Sequence, residues 1–279
     1  MTLVYACIAP HGSEIIPRLA SESAFRKFRK TRDGLSKLAS EVARAKPDTI
    51  VIASPHNLKV WKRIVVVTAE NSTGTLQASP RNKKSVSLKA KCDVGFAQEL
   101  LTNALKRNLP TVGANYGTSD GVTSDMPMDW GTVVPLWFIL PRCRPKPKIV
   151  IVTPSREIPL RQNYLFGRVI GSLSNRTTRR IVFVASADQA HRHRKSGPYG
   201  FSNRAKEYDR FVLGAIKRND IGSIMGMRRK LVDAARPDSL WQMTMLAGVV
   251  DEIKVRPQVL SYDVPTYFGM ICASFRRNG

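Results

Sequence analysis

The sequence predicts an α/β fold: a single domain over residues 1–279, with a central mostly parallel or mixed sheet flanked by helices and a site at the carboxyl ends of the strands. Three observations predict it. Short runs rich in β-branched residues, such as Ile149-Val150-Ile151-Val152 and Ile181-Val182-Phe183-Val184, have the length and apolarity of strands buried on both faces. Stretches of helical period separate these runs, an order that builds parallel sheets covered by helices. The chain's four histidines, His11, His56, His191 and His193, all fall just past the end of an expected strand.

Taken in order, residues 3–9 form an apolar run stopped by Pro10-His11-Gly12, a strand and its turn. A helical period follows over 35–45, then apolar strands over 49–53 and 64–68, the first closed by Ser54-Pro55-His56-Asn57. The stretch 71–87 is rich in Asn, Ser, Thr and Lys and reads as a loop or flap. A helix is expected over 94–106. The proline-rich basic connector Pro141 to Lys148 precedes a strand over 148–153, and helix 160–174 and strand 181–185 come next. Helices over 203–217, 223–234 and 240–250 and strands over 258–262 and 267–274 complete the pattern. No internal repeat stands out.

With 43% hydrophobic residues the chain suits a globular core in spite of a formal charge of 45 − 21 = +24. Its longest apolar runs fall far below the ~20 residues of a membrane span. Met1-Thr2-Leu3-Val4-Tyr5 carries neither a basic leader nor a small-residue cleavage site, so no secretory signal is expected. The four cysteines, Cys7, Cys92, Cys143 and Cys272, show no Cys-x-x-Cys spacing, which argues against a zinc ribbon or a dithiol redox motif. The expectation is a cytoplasmic enzyme or binding protein. The Lys and Arg residues are scattered and no nucleic-acid motif accompanies them. They read as solvated surface that attracts acidic partners, with nucleic acid bound only through non-specific charge.

Ligands of open α/β sheets bind outside the carboxyl ends of the strands. Two Pro-His pairs at such ends bring His11 and His56 to where a metal can be shared, and neutral imidazole suits Fe, Zn, Cu or Ni. A carboxylate would complete a face of two histidines and one acid that leaves positions open. Glu14, Asp129, Glu207 and Asp238 are the candidates, and spacing does not choose among them; Asp238 can equally cap the helix over 240–250. Arg156, Arg192 and His193 lie in strand-end loops and read either as cations beside a ligand site or as surface charges.

The ordered set Ala9-Pro10-His11-Gly12, Ser54-Pro55-His56, Asp129-Trp130-Gly131 with Pro135-Leu136, and Ser186-Ala187-Asp188 with Ala190-His191 resembles the class III extradiol ring-cleavage dioxygenases. This is the superfamily of the protocatechuate 4,5-dioxygenase β subunit, which includes the Memo proteins. Pro154-Ser155-Arg156-Glu157 and Ser196-Gly197-Pro198-Tyr199-Gly200-Phe201 are similar to members as well, so the likeness spans nearly the whole chain. The resemblance implies one α/β domain and a non-haem Fe(II) site, with Zn as the other possible metal. It implies a catechol-type aromatic and O2 as substrates, and a homo-oligomer or a small partner subunit.

Carried over by position, it makes His11 and His56 ligands, His191 the acid/base for the catechol proton, and Asp129 an orienting carboxylate. Trp130, Ser155, Arg156 and His193 become expected substrate-binding residues. Two positions depart from the family pattern. Trp130 stands where a histidine usually follows the Asp, and Ser239 stands where the ligand Glu is expected, with Asp238 beside it. Asp238 is therefore the expected third ligand, with Ser239 or water as alternatives. A metal-poor binding or signalling scaffold on the same fold is the competing reading.

Overall fold

The structure, a computed structural model, describes residues 3–79, 82–116, 124–251 and 253–277. Along the chain come β1 (Leu3–Ala9), α1 (Glu22–Lys27), α2 (Arg29–Arg44), β2 (Thr49–Ala53), β3 (Ile64–Val67), β4 (Asn71–Ser79), β5 (Asn82–Lys91), α3 (Val94–Leu105), β6 (Thr111–Ala114) and β7 (Asp125–Pro127). They are followed by α4 (Trp130–Ile139), β8 (Lys148–Thr153), α5 (Leu160–Ser174), β9 (Ile181–Ser186), α6 (Arg204–Lys217), α7 (Arg229–Ala235), α8 (Leu240–Asp251), β10 (Val255–Asp263) and β11 (Met270–Arg277).

An eight-stranded sheet runs in the order β10-β11-β1-β9-β2-β8-β3-β6. Its middle is parallel: Cys7 pairs with Val184, Val51 with Phe183, and Val51 with Val150 on its other side. The flanks turn it mixed, because β11 runs antiparallel to β1 and β3 antiparallel to β8. The carboxyl ends of β1, β9, β2 and β8 consequently share one edge of the sheet, and the His-bearing loops leave from there.

Every residue of β2 and β9 is buried, as expected of strands covered on both faces. Alternate side chains feed two cores. Ala6, Val51 and Phe183 meet Phe166 of α5 and Leu246 of α8 on one side, while Cys7, Ile52 and Val184 meet Leu35 of α2 and Val134 of α4 on the other. Burial of each such aliphatic or Phe side chain contributes roughly 1.5–3 kcal/mol, so a shift of register by one residue would exchange the two faces at large cost. Helices α5 and α8 approach to backbone contact: a Cβ on Gly167 would lie 2.0 Å from the Met245 carbonyl oxygen, and one on Gly248 2.0 Å from that of Tyr164. That contact sets the height of α8 and delivers its first turn to the functional edge.

The expected strands and most expected helices are present, with shifted ends. The stretch 71–87 is not a loop: β4 and β5 form an antiparallel ribbon, and with β7 a three-stranded sheet. Residues 80 and 81 of that stretch lie outside the described residues. Val86 and Ala90, with Leu76, Ala78 and Leu88, form the ribbon's packed face and alternate with Ser, Thr, Gln and Lys on the other, a strand period that the high polar content of the stretch outweighed in the sequence reading. Helix α4 was not expected, because Trp-Gly-Thr-Val-Val-Pro-Leu-Trp-Phe-Ile is apolar all round, with Pro135 inside it. No helix among the described residues is long and apolar enough to cross a membrane. All four cysteines are buried and free.

Candidate metal centre

His11 leaves the end of β1 and is 2% exposed. Its Nδ1 lies 2.9 Å from Ser186 Oγ at the end of β9. Ser186 has a single hydroxyl proton and donates it to the Gly131 carbonyl at 2.5 Å, so it accepts from His11 Nδ1–H. The Nε2 lone pair of His11 is thereby left to face the cavity as a metal donor. Gly131 reaches Ser186 because it has no side chain: a Cβ there would fall 2.4 Å from Ser54 Oγ.

His56 follows β2 through Ser54-Pro55, and its Nε2 lies 3.3 Å from His11 Nε2. Asp238 comes from the turn before α8. Its Oδ2 lies 2.7 Å from His56 Nε2 and 3.3 Å from His11 Nε2. Among the described residues these three form one group whose donor atoms lie within 4.8 Å of one another. Two imidazole nitrogens, each a donor once unprotonated, and one buried carboxylate oxygen are a set that fits a divalent first-row transition metal. The other oxygen of Asp238 takes Arg156 Nη2 at 2.5 Å, and the Arg156 guanidinium lies 4.5 Å over the Trp241 ring.

The electrostatics suit a cation. Burial by itself would lower the pKa of His11, but the carboxylates of Asp188 and Asp238 outweigh it and push the value up to about 9. Burial would raise that of Asp238, yet hydrogen bonds from His11 and His56 hold it well below the usual carboxylate range. A metal ligated here would have to take the place of the proton that this raised pKa favours on His11. Asp188, 3.3 Å from His11 Nε2 and accepting the His11 backbone N–H at 3.0 Å, is pushed up by burial.

His191 lies across the same cavity. Its Nδ1 donates to the Gln189 carbonyl at 2.8 Å, which leaves Nε2 as the free ring nitrogen, and burial lowers its pKa. The ring stacks on Phe268, with centroids 5.0 Å apart and planes at 11°. Trp130 stacks on His56 at 4.1 Å. The cavity, about 1100 Å³, is lined further by Tyr199, Trp241, Tyr267 and Arg236. Arg236 occupies the left-handed region at φ 49°, and its guanidinium lies 5.3 Å from the Tyr199 ring.

Of the four candidate carboxylates, only Asp238 joins the histidines. Glu14 lines the cavity, and Glu207 pairs with Arg204 on the surface. Ser239 turns its hydroxyl into the core, 2.9 Å from Tyr208 OH. Asp129 is caged by Ser54, Thr132 and Asn57 at the start of α4, where it holds the turn that presents Trp130 and the Gly131 carbonyl.

Three expected substrate-binding residues have other partners. Arg156 lines the cavity but is engaged by Asp238. Ser155 is buried against Glu157 and Asn163, and His193 against Asp209; neither is among the residues that line the cavity. Sequence reasoning passed over Asp188, Arg236, Trp241, Tyr267 and Phe268. The one available signal was for Asp188, which sits two residues past β9 within the quoted Ser186-Ala187-Asp188. Tyr267 and Phe268 were assigned to a strand that begins only at Met270.

Protein CA_C1420 of Clostridium acetobutylicum is 23% identical over 256 residues, covering 92% of this chain and 54% of that protein. The chain thus spans about half the length of that curated relative. The crystal structure of uncharacterized protein JW3007 from Escherichia coli K12 is similar in fold, with a TM-score of 0.62, 14% identity, and coverage of 97% of this chain and 99% of that one. The family described as the catalytic LigB subunit of aromatic ring-opening dioxygenase matches residues 5–272, and with nearly the whole chain matched the protein belongs to the LigB family.

Proposed function

We propose that this chain is a cytoplasmic, metal-dependent dioxygenase that inserts O2 into a catechol-type aromatic next to its vicinal hydroxyls, with Fe(II) held by His11, His56 and Asp238. The observation that carries the reading is the meeting of these three donors within 4.8 Å in an aromatic-walled cavity that also holds His191. Family membership supports the reaction class. Bound there, Fe(II) supplies a redox-active Lewis acid with open positions, which the opening of an aromatic ring by O2 requires.

The chain's own residues do the rest. His191, with Nδ1–H tied to Gln189, accepts a hydroxyl proton of the substrate on Nε2 and later returns it. Phe268 holds that imidazole from its face, and Trp130 and Tyr267 line the wall against which an aromatic ring packs. Asp129 acts at one remove, by fixing the turn that carries Trp130 and the Gly131 carbonyl. Arg236 has no carboxylate partner within ion-pair distance among the described residues, and it draws an anionic substituent to the cavity mouth. The free buried thiols fit a reducing compartment.

The test is metal analysis of anaerobically purified protein, followed by oxygen uptake with a panel of catechols. About one Fe per chain with oxygen consumed is the expected result. Protein that takes up no metal after reconstitution with Fe(II) would overturn the reading, and uptake of Zn alone would move it to hydrolytic chemistry.

A further inference from the structure

Asp209 of α6 is 1% exposed and plays no part in the site described so far. Its Oδ1 accepts the backbone N–H of Ala190 at 3.0 Å, the residue directly before His191. Its Oδ2 accepts His193 Nε2–H at 2.8 Å, on the other side of His191, and Tyr262 OH at 2.9 Å. One carboxylate thus grips the chain on both sides of His191 and ties it to β10.

Backbone bonds close the clamp. His191 N–H donates to Ala235 O at 3.0 Å, His193 N–H to Tyr267 O at 3.0 Å, and Gly269 N–H to Ala190 O at 3.1 Å. Gly269 passes so near that a Cβ there would lie 2.0 Å from Asp209 Oδ2. A fully desolvated carboxylate that loses one of its donors is strongly destabilised, so the three bonds stand or fall together. The loop has little freedom to turn His191 over.

We propose that Asp209 is a positioning residue for His191: its grip on Ala190 N–H and His193 fixes the imidazole with Nδ1–H on the Gln189 carbonyl and Nε2 free in the cavity. The use of that Nε2 as a proton acceptor rests on the dioxygenase reading, whereas the tautomer does not.

The experiment is NMR of ring-¹⁵N-labelled histidine in the full chain loaded with Zn(II), with His191→Gln locating the His191 signals. The wild type is expected to show one tautomer at His191, protonated on Nδ1. Asp209→Asn keeps the shape and removes the charge; it is expected to mix the tautomers while Zn(II) affinity stays within about twofold. With a turned-over catechol the same variant is expected to lose kcat by about 10- to 100-fold at similar KM. Should Asp209→Asn fail to fold, His193→Ala removes one of the three donors and is expected to mix the tautomers partly.

A single Nδ1–H tautomer retained in whichever of these variants folds would overturn the proposal, whatever the melting temperature did. A shifted tautomer in a protein that turns over no catechol would uphold the positioning role and remove the dioxygenase reading.

Discussion

Asp238 Oδ2 lies 2.7 Å from His56 Nε2, although one residue leads into α8 and the other leaves β2. The contact exists because the backbone of α8 touches that of α5 at Gly248, which lowers the first turn of α8 onto the sheet edge where the Pro-His loops end. Gln242 of the same helix holds the turn by donating to the carbonyls of Asp238 at 2.6 Å and Ser186 at 3.0 Å. The carboxylate of this centre is thus set by helix packing.

Asp238→Ala is expected to weaken Zn(II) or Fe(II) binding by more than the 10–100-fold that outer partners of a metal site are typically worth, and His56→Ala likewise. Ser239→Ala, which loses only the bond to Tyr208, should leave metal affinity unchanged. Titration calorimetry with Zn(II) on the three variants checks the ligand set; full metal content in His56→Ala would refute it.

Ser186→Ala removes the acceptor of His11 Nδ1–H and leaves both ligand histidines in place. The ring is then free to present a proton on either nitrogen, and metal affinity is expected to fall about 10- to 100-fold. Ser186→Thr, which keeps the hydroxyl, should retain most of the affinity in the same titration.

Burial holds the pKa of His191 below its ordinary 6.5. If neutral His191 takes the substrate proton, kcat/KM rises with pH through that lowered value and stays level above it. The acid limb therefore lies below pH 6.5, and His191→Gln should lose turnover while keeping its metal. Stability carries the same sign. The unfolded histidine binds its proton at a higher pH than the folded one, so this contribution is complete above 6.5 and is lost as the pH falls through the folded value. Chemical denaturation at a series of pH values, with and without His191→Gln, reads it.

Gly248→Ala pushes a methyl group against the Tyr164 carbonyl oxygen, 2.0 Å from where its Cβ must go. Backbone cannot yield as a flexible side chain does, so a loss of about 1–3 kcal/mol is expected, together with weaker metal binding because α8 carries the turn of Asp238. Urea titration measures the first and calorimetry the second. A stability change under about 0.5 kcal/mol would mean that the two helices pack less closely than described.

The strand order of the chemistry was legible in the sequence. Residues 3–9, 49–53, 148–153 and 181–185 announced themselves as β1, β2, β8 and β9 because a strand covered on both faces has no polar side, and their stop signals named His11, His56 and His191. Those are local properties of a few consecutive residues. The ribbon of β4 and β5 was read as a loop from its polar composition, although Val86, Leu88 and Ala90 alternate with Ser and Lys; α4 was not legible, since its residues are apolar on every face.

Composition and spacing could not say which carboxylate meets the histidines, a choice that only the family resemblance made for Asp238, or which cation lines the cavity without a carboxylate partner. Glu14, Asp129, Glu207 and Asp238 are chemically alike. What separates them is that α8 descends onto the sheet edge, that Asp129 is spent on the turn before α4, and that Glu207 points to the surface. In the same way Arg156 is drawn to Asp238 and His193 to Asp209. A side chain's partner is set by the register of two packed elements, and residues far apart in the chain acquire that register only when the core closes.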